Sequence, residues 1–440
     1  MEYTYEKTNE GNKMYEFAKR IFPYTRSLTG EGVRQTLEEI KNYINDDEEC
    51  SVDFKVKSIK SGSAVFDWII PKEWYVREAY IEDELGNRII DMNDNNLHVL
   101  GYSTPVDEWM ELDELLNHVY TQPDQPDWIP YVTSYYKERY GFCMSENMKN
   151  SLKEGKYHAY IDSRLFDGVL NYAEIILPGK EETEVLFSTY ICHPSMANNE
   201  CSGPALSAQL VKYLTTLSAR RYTYRFIFIP ETIGAIAYLC QDNNLDNMKK
   251  NLIAGFNLSC VGDDRDYSII ESKYGDTLAD RVLKNILKNK CHDSYSTYKF
   301  KESGSDERRY NSAHVNLPVV GFCRSKYGVY PEYHTSADDM NLVSPAGFQG
   351  SFDVMRQVIN ALEYNKKYVT KFICEPQLGP RGLYTDISQK GSATDLQTMM
   401  MLIYYSDGIS DLIDISNILE VSMEELIEIV IKLVNAGIIE

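Results

Sequence analysis

At 440 residues the chain is too long for one ordinary domain, and two or three are expected. With 43% hydrophobic and 25% charged residues it reads as a soluble globular protein. Its 45 Lys+Arg against 66 Asp+Glu give a net charge of -21, which argues against general binding to nucleic acid or an anionic membrane. The 9 cysteines are scattered and none forms a CxxC pair, so a reducing cytoplasm is expected rather than a disulfide framework. The first residues, Met1 to Lys7, lack the basic-then-apolar pattern of a signal peptide. No stretch approaches the ~20 apolar residues of a membrane span.

Met14 to Ile44 predicts two helices. Tyr15, Phe17, Ala18, Ile21 and Phe22 form one apolar stripe, and Thr29-Gly-Glu-Gly32 breaks the chain before the second helix. From about 53 to 132 the texture changes to short β-like runs, Ser63 to Ile70 and Val76 to Ile81 among them. Pro71, Gly86, Gly101 and Pro105 punctuate these runs, and a Pro-rich connector follows at Gln122 to Pro130. This reads as a small β-rich domain, 53–132, inserted into a core made of 1–52 and 133–374. In that core strands alternate with helices, which implies an α/β fold with a mostly parallel or mixed sheet flanked by helices. Strands are expected at 157–161, 171–177, 184–191, 224–229 and 251–258. Helices are expected at 203–217, 233–240, 277–288 and 351–364. The end, 375–440, predicts three short helices at 393–405, 409–419 and 423–434 and has the look of a helix-turn-helix. Its last helix carries three glutamates and one lysine, so packing or protein contact is expected there rather than DNA binding.

Three stretches carry chemistry. Thr189-Tyr-Ile-Cys-His-Pro-Ser-Met-Ala-Asn-Asn-Glu-Cys-Ser-Gly203 holds His193. Phe226-Ile-Phe-Ile-Pro-Glu-Thr-Ile-Gly234 sets Glu231 straight after an apolar run, and Tyr330-Pro-Glu-Tyr-His-Thr-Ser-Ala-Asp-Asp339 holds His334. Two histidines, a further oxygen ligand and a glutamate base are the parts of a metal-assisted hydrolase. His193 and Glu231 both fall just past strand ends, where open α/β sheets bind ligands. Each residue also has a plainer reading. Glu231 could be a charge favoured at a helix start, Asn198 and Asn199 helix caps, Cys192 and Cys201 packing, and Asp338-Asp339 the cap of a turn. In the loop Gly304-Ser-Asp-Glu-Arg308, Arg308 could hold a substrate carboxylate through a bidentate fork, and Arg324, Lys326 and Tyr333 are further candidates for substrate contact.

Taken together, Cys192-His-Pro-Ser, Asn198-Asn-Glu-Cys-Ser-Gly203, Pro230-Glu-Thr-Ile-Gly234, Gly304-Ser-Asp-Glu-Arg308, Arg324-Ser-Lys-Tyr-Gly328 and Glu332-Tyr-His-Thr-Ser336 resemble the zinc aminopeptidase-like family, the exopeptidases with a pair of zinc ions. Arg26-Ser-Leu-Thr-Gly-Glu-Gly-Val-Arg34 and Gly379-Pro-Arg-Gly-Leu-Tyr384 extend the resemblance to a bacterial branch with an inserted β domain and a C-terminal winged-helix-like domain. The resemblance implies that His193 is the first metal ligand, Glu231 the general base and His334 the last ligand. Asn199 stands where the family has a bridging Asp, Glu200 at the following Asn, Thr232 at a ligand Glu, and Ser259 near a later ligand Asp. With two of five ligands kept, one zinc ion is expected rather than two. It would be held by His193, His334 and one of Asn199, Glu200 or Asp306. The expected function is a zinc-dependent, aminopeptidase-like hydrolase of amide or peptide bonds, acting on a small peptide or amide-containing metabolite. The rival is a catalytically degenerate binding or assembly protein on the same fold. Neither reading calls for nucleic acid or membrane as partner, and both leave room for a homo-oligomer.

Overall fold

The computed structural model describes residues 9–46, 52–292, 294–383 and 392–440, with 392–395 described as backbone only. Met1 to Lys7 and Tyr384 of the sequence motifs lie outside the described residues.

The large sheet has eight strands in the order Lys55–Lys60, Val169–Leu177, Thr223–Ile229, Glu184–Tyr190, Leu252–Leu258, Val319–Cys323, Ser268–Ile270, Ser296–Tyr298. The third to sixth run parallel to one another, the second and seventh join them antiparallel, and the seventh and eighth pair in parallel. Every residue of Glu184–Tyr190 is buried, as a parallel strand covered on both faces requires. Successive side chains take opposite faces. Phe226 and Phe228 face one core with Phe187 and Phe256, while Ile227 and Ile229 face the other with Leu186. Helices Gly11–Ile21, Glu31–Ile44, Ser202–Thr216, Leu278–Cys291 and Pro345–Tyr364 cover the first face. Helix Ile233–Cys240 and a four-stranded sheet cover the second.

That small sheet runs Arg88–Asp91, Glu73–Asp83, Lys156–Phe166, Val106–Glu111. Its boundaries differ from the expected 53–132. Lys55–Lys60 joins the large sheet as its edge strand, and Lys156–Phe166 joins the small one. The latter alternates buried and part-exposed positions, the pattern of a sheet with one solvated face. Ser63 to Ile70 is a hairpin rather than one strand: Ala64–Val65 pairs with Trp68–Ile69 around Phe66, whose φ is +52°. The expected helices at 203–217, 233–240 and 277–288 are present, and the helix expected from 351 begins earlier, at Pro345.

Arg225 is buried between three strands and is fully paired. It forks onto Glu184 at 2.7 and 2.8 Å and also reaches Glu174 and Tyr238. The C-terminal helices Ser392–Tyr405, Leu412–Leu419 and Met423–Asn435 share the first core through Leu402, Ile413, Leu426 and Leu433. Arg281 ties them down further, meeting Asp411 at 2.7 Å and Asp414 at 2.6 Å. Among the described residues no helix is long and apolar enough to cross a membrane.

Candidate active site

The strands Glu184–Tyr190 and Thr223–Ile229 lie side by side, so the segments that leave their carboxyl ends meet. One carries His193 and the other Glu231. Their pairing sets His193 Nε2 3.6 Å from Glu231 Oε2. The other ring nitrogen, Nδ1, lies 2.9 Å from Glu200 Oε2, and the His193 carbonyl accepts a 2.8 Å bond from the buried Arg26. A carboxylate on Nδ1 fixes the ring and leaves Nε2 directed to the site. Burial works against charge on His193, and the Cys192 sulfur and Glu200 carboxylate outweigh it, raising its pKa well above the usual value.

His334 arrives from the segment after Val319–Cys323. Its ring centre is 5.3 Å from that of His193 and 3.8 Å from Tyr333, on which it stacks. Its backbone is left-handed, with φ +59°, and its carbonyl accepts the Tyr131 N–H at 2.9 Å. The Tyr131 ring packs against both histidines. Burial, aided by nearby His193, holds His334 well below the usual histidine range, so it stays neutral. Its Nε2 is buried without a hydrogen-bond partner among the described residues.

Asn199 lies in the buried turn Ala197–Cys201 ahead of helix Ser202–Thr216. Its amide nitrogen donates to Tyr190 at 2.7 Å, and its Oδ1 is buried and unpartnered among the described residues. Tyr190 itself packs 5.3 Å from His193. Gly203 lets the helix approach: a Cβ there would lie 2.2 Å from Thr189 Oγ1 and 2.5 Å from the Leu258 carbonyl.

Glu231 is clamped by the loop 304–309. Ser305 Oγ donates to Glu231 Oε1 at 2.6 Å, Thr232 N–H donates to Asp306 at 2.7 Å, and Arg309 donates to Thr232 Oγ1 at 2.5 Å. The clamp holds Thr232 at φ +64° and ψ -76°, a strained backbone for a β-branched residue. Burial raises the Glu231 pKa despite the opposing pull of His193 and Ser305, which suits a group that must pick up and release a proton.

The structure therefore brings His193, His334, Glu231, Asn199, Glu200 and Tyr333 together and revises five expected roles. Glu200 backs His193 through Nδ1, with Arg26 3.7 Å from its other oxygen, and is an orienting group rather than a ligand from the open side. Asp306 belongs to the clamp: Oδ1 takes the Thr232 N–H, and burial beside Glu231 lifts its pKa to about 8. Arg308 is exposed, while Arg309 reaches the site. Arg324 is buried and committed, donating to the Asp266 and Gly347 carbonyls and lying 3.9 Å over the Tyr267 ring. Lys326 likewise donates to the Tyr327 carbonyl. Sequence reading missed Arg26, Tyr131, Arg309 and Asp338. Arg26 and Asp338 stood inside quoted motifs without this role, and Tyr131 and Arg309 carried no signal.

Two donor sets could hold a metal. Cys192 Sγ, a His193 nitrogen and a Glu200 oxygen lie within 4.8 Å of one another. Burial pushes that thiol up to about 11, however, and its sulfur accepts the Glu231 N–H at 3.1 Å. The better fit is the open side: His193 Nε2, the orphaned His334 Nε2 and the orphaned Asn199 Oδ1. Three such atoms suit one zinc ion.

Beside these groups lies a cavity of about 200 Å³. Leu28, Trp68, Tyr135, Tyr136 and Ile233 form its apolar wall, and Cys192, His193, Glu231 and Thr232 its inner end. A larger groove of about 1080 Å³ runs between the core and the C-terminal helices, lined by Lys180, Arg221 and Glu428 among others, away from this chemistry.

Fold and residue set together define an aminopeptidase-like α/β core joined to a C-terminal winged-helix domain. Residues 15–365 match the family described as a domain of unknown function (DUF4910), and the chain belongs to it. Residues 366–440 match a winged helix-turn-helix family. The chain is 39% identical over 420 residues to a Clostridium acetobutylicum protein, a match covering 94% of this chain and 93% of the relative. That relative is provisionally named a polysaccharide biosynthesis protein with an aminopeptidase-like domain. A crystal structure of a provisionally assigned peptidase from the same organism superposes with a TM-score of 0.90 at 37% identity, over 98% of this chain and 96% of that one. A zinc aminopeptidase from Bacillus subtilis superposes with a TM-score of 0.59 at 12% identity, over 82% and 96%, and shares the fold.

Proposed function

We propose that the chain is a zinc-dependent hydrolase of amide bonds, aminopeptidase-like in layout, working on a small peptide or amide-containing metabolite. One observation carries the reading. The buried, unpartnered Nε2 of His334 belongs to a ring 5.3 Å from that of His193, whose own Nε2 faces Glu231 at 3.6 Å. Zinc held there would supply Lewis acidity to the substrate carbonyl and to water. Glu231 takes a proton from the attacking water and returns it to the leaving amine. Ser305 fixes one oxygen of Glu231 so that the other is presented to the site. Glu200 and Tyr333 hold the two imidazoles in place. The cavity has room for a group the size of one residue, which supports a small substrate. The name of the Clostridium relative supports looking for it among polysaccharide precursors. We place the protein in the cytoplasm, a reading supported by the absence of any disulfide among the described cysteines.

The test is to count zinc by elemental analysis in protein purified without chelator, then to assay amide turnover. About one zinc per chain is expected, lost in His193→Ala and in His334→Ala, with turnover abolished in Glu231→Gln while zinc is retained. Protein that takes up no zinc even when it is supplied would make this a binding protein on a peptidase fold.

A further inference from the structure

The cavity beside Glu231 differs from what a free ammonium group would need. Glu231 is the one carboxylate on its wall, and it is already engaged: Oε1 takes the Ser305 hydroxyl at 2.6 Å, and Oε2 faces the His193 ring. The next carboxylate, Asp306, is buried behind the wall and bonded to the Thr232 N–H. A cation stands there instead, since the Arg309 guanidinium donates to the Thr232 hydroxyl oxygen. Thr232 lines the cavity, and a hydroxyl that accepts from Arg309 keeps its own proton free to donate to a carbonyl oxygen. An incoming ammonium would find Glu231 as its single carboxylate, already held by Ser305, facing His193 and needed as the base, with a guanidinium behind Thr232. An incoming neutral amide would find a donor.

The rest of the wall is apolar. Trp68 and Tyr136 make a corner at the mouth, with ring centres 6.0 Å apart and planes at 66°. They are 40% and 61% exposed, so ring face remains open to a ligand. Trp68 comes from the hairpin 64–69 and Tyr136 from the segment after the Pro-rich connector, so this corner is built by chain outside the strands that carry His193 and Glu231. Flat apolar faces are what such rings hold best.

We propose that the substrate is an N-acylated amine with no free ammonium beside the cleaved bond, whose ring-shaped group lies with its apolar face on Trp68 and Tyr136. The inference rests on the amide-hydrolase reading. In the reaction the acyl C–N bond breaks, the water oxygen goes to the acyl carbon, and the proton held on Glu231 goes to the amine nitrogen. The ring could be that of an acylated aromatic amino acid or of an acylated amino sugar, which share a neutral N-acyl group and an apolar face.

Binding to zinc-free protein separates the two ideas, because it needs neither metal nor turnover. Titrations followed by calorimetry would compare N-acetyl-L-phenylalaninamide, N-acetylglucosamine and L-phenylalaninamide at pH 7. One of the acylated probes is expected to bind about tenfold tighter than the ammonium probe, and Trp68→Ala and Tyr136→Ala each to weaken it about tenfold. Whichever acylated probe binds identifies the kind of ring. Equal or tighter binding of L-phenylalaninamide would overturn the proposal. So would binding unchanged in both variants, or no binding of either acylated probe at millimolar concentration. Protein that binds the acylated probe yet never cleaves an amide once loaded with zinc would instead overturn the hydrolase reading alone. Both variant positions are exposed, and unchanged thermal unfolding would show that each variant is folded.

Discussion

Asp338 holds Asn199 in place: its Oδ2 accepts the Asn199 N–H at 3.0 Å while Oδ1 accepts that of Asn198 at 2.6 Å. The carboxylate also takes the Tyr330 hydroxyl at 2.8 Å. It therefore caps the buried turn that carries the candidate oxygen ligand. Removing it in Asp338→Ala strands two buried N–H groups, and a loss of about 1–3 kcal/mol is expected in urea unfolding. Zinc uptake should weaken in the same variant. Wild-type stability together with wild-type zinc content would show that the turn does not depend on Asp338.

Asn199→Asp should strengthen zinc binding, about tenfold or more by competition with a chelator, because a carboxylate replaces a neutral oxygen. The Tyr190 hydroxyl, which now accepts the Asn199 amide at 2.7 Å, can turn to donate to the new carboxylate. Unchanged affinity would mean that Asn199 Oδ1 is not directed at the ion.

Asp411 caps helix Leu412–Leu419 through the Asp414 N–H and pairs with Arg281 of the core. Burial works against its charge, but Arg281, the Asp414 N–H and Asn365 together lower its pKa. The stabilisation is thus complete above the unfolded value of about 3.9 and lost as pH falls through the lower folded value. Asp411→Ala should cost about 1 kcal/mol at pH 7. In urea unfolding at pH 3 the difference from wild type should shrink, and a constant difference at both pH values would rule out the charge as its source.

Gly203→Ala tests the close approach beneath the site. A methyl 2.2 Å from Thr189 Oγ1 forces helix Ser202–Thr216 away from Leu258, at a cost of about 1–3 kcal/mol. A variant that unfolds like wild type would show that the neighbours can shift without penalty.

The last helix, Met423–Asn435, exposes acidic residues where a DNA-reading helix needs basic ones, with Glu424, Glu425 and Glu428 against Lys432. No shift of duplex DNA is expected at micromolar protein and low salt. Retarded duplex that is released by salt would reverse that reading.

The sheet, and the place of the candidate residues His193 and Glu231 just past two of its strands, were legible in the sequence because local signals carried them. The run Tyr224-Arg-Phe-Ile-Phe-Ile229 gives a buried strand whose end fixes Glu231, and His193 follows another such run. What failed depended on distant partners. Arg324 looked like a free cation, but its guanidinium is spent on the Asp266 and Gly347 carbonyls. Asp338 looked like the cap of its own turn, yet it caps one 140 positions away. Arg308 and Arg309 differ only by which side of a four-residue helix they occupy, and spacing within so short an element does not decide that. The hairpin at 64–69 was read as a single strand because Phe66 is an unusual residue for a left-handed turn position.

The turn 197–201 is closed from both directions of the chain, since Arg26 meets Glu200 and Cys201 while Asp338 grips Asn198 and Asn199. During synthesis, the strands Glu184–Tyr190 and Thr223–Ile229 can pair long before residue 338 emerges. The site cannot be completed until then, because the bond from Asn198 to Asp338 spans 140 positions and a long loop must close first. A ribosome-bound chain stopped short of residue 338 would therefore have a recognisable sheet without its chemistry.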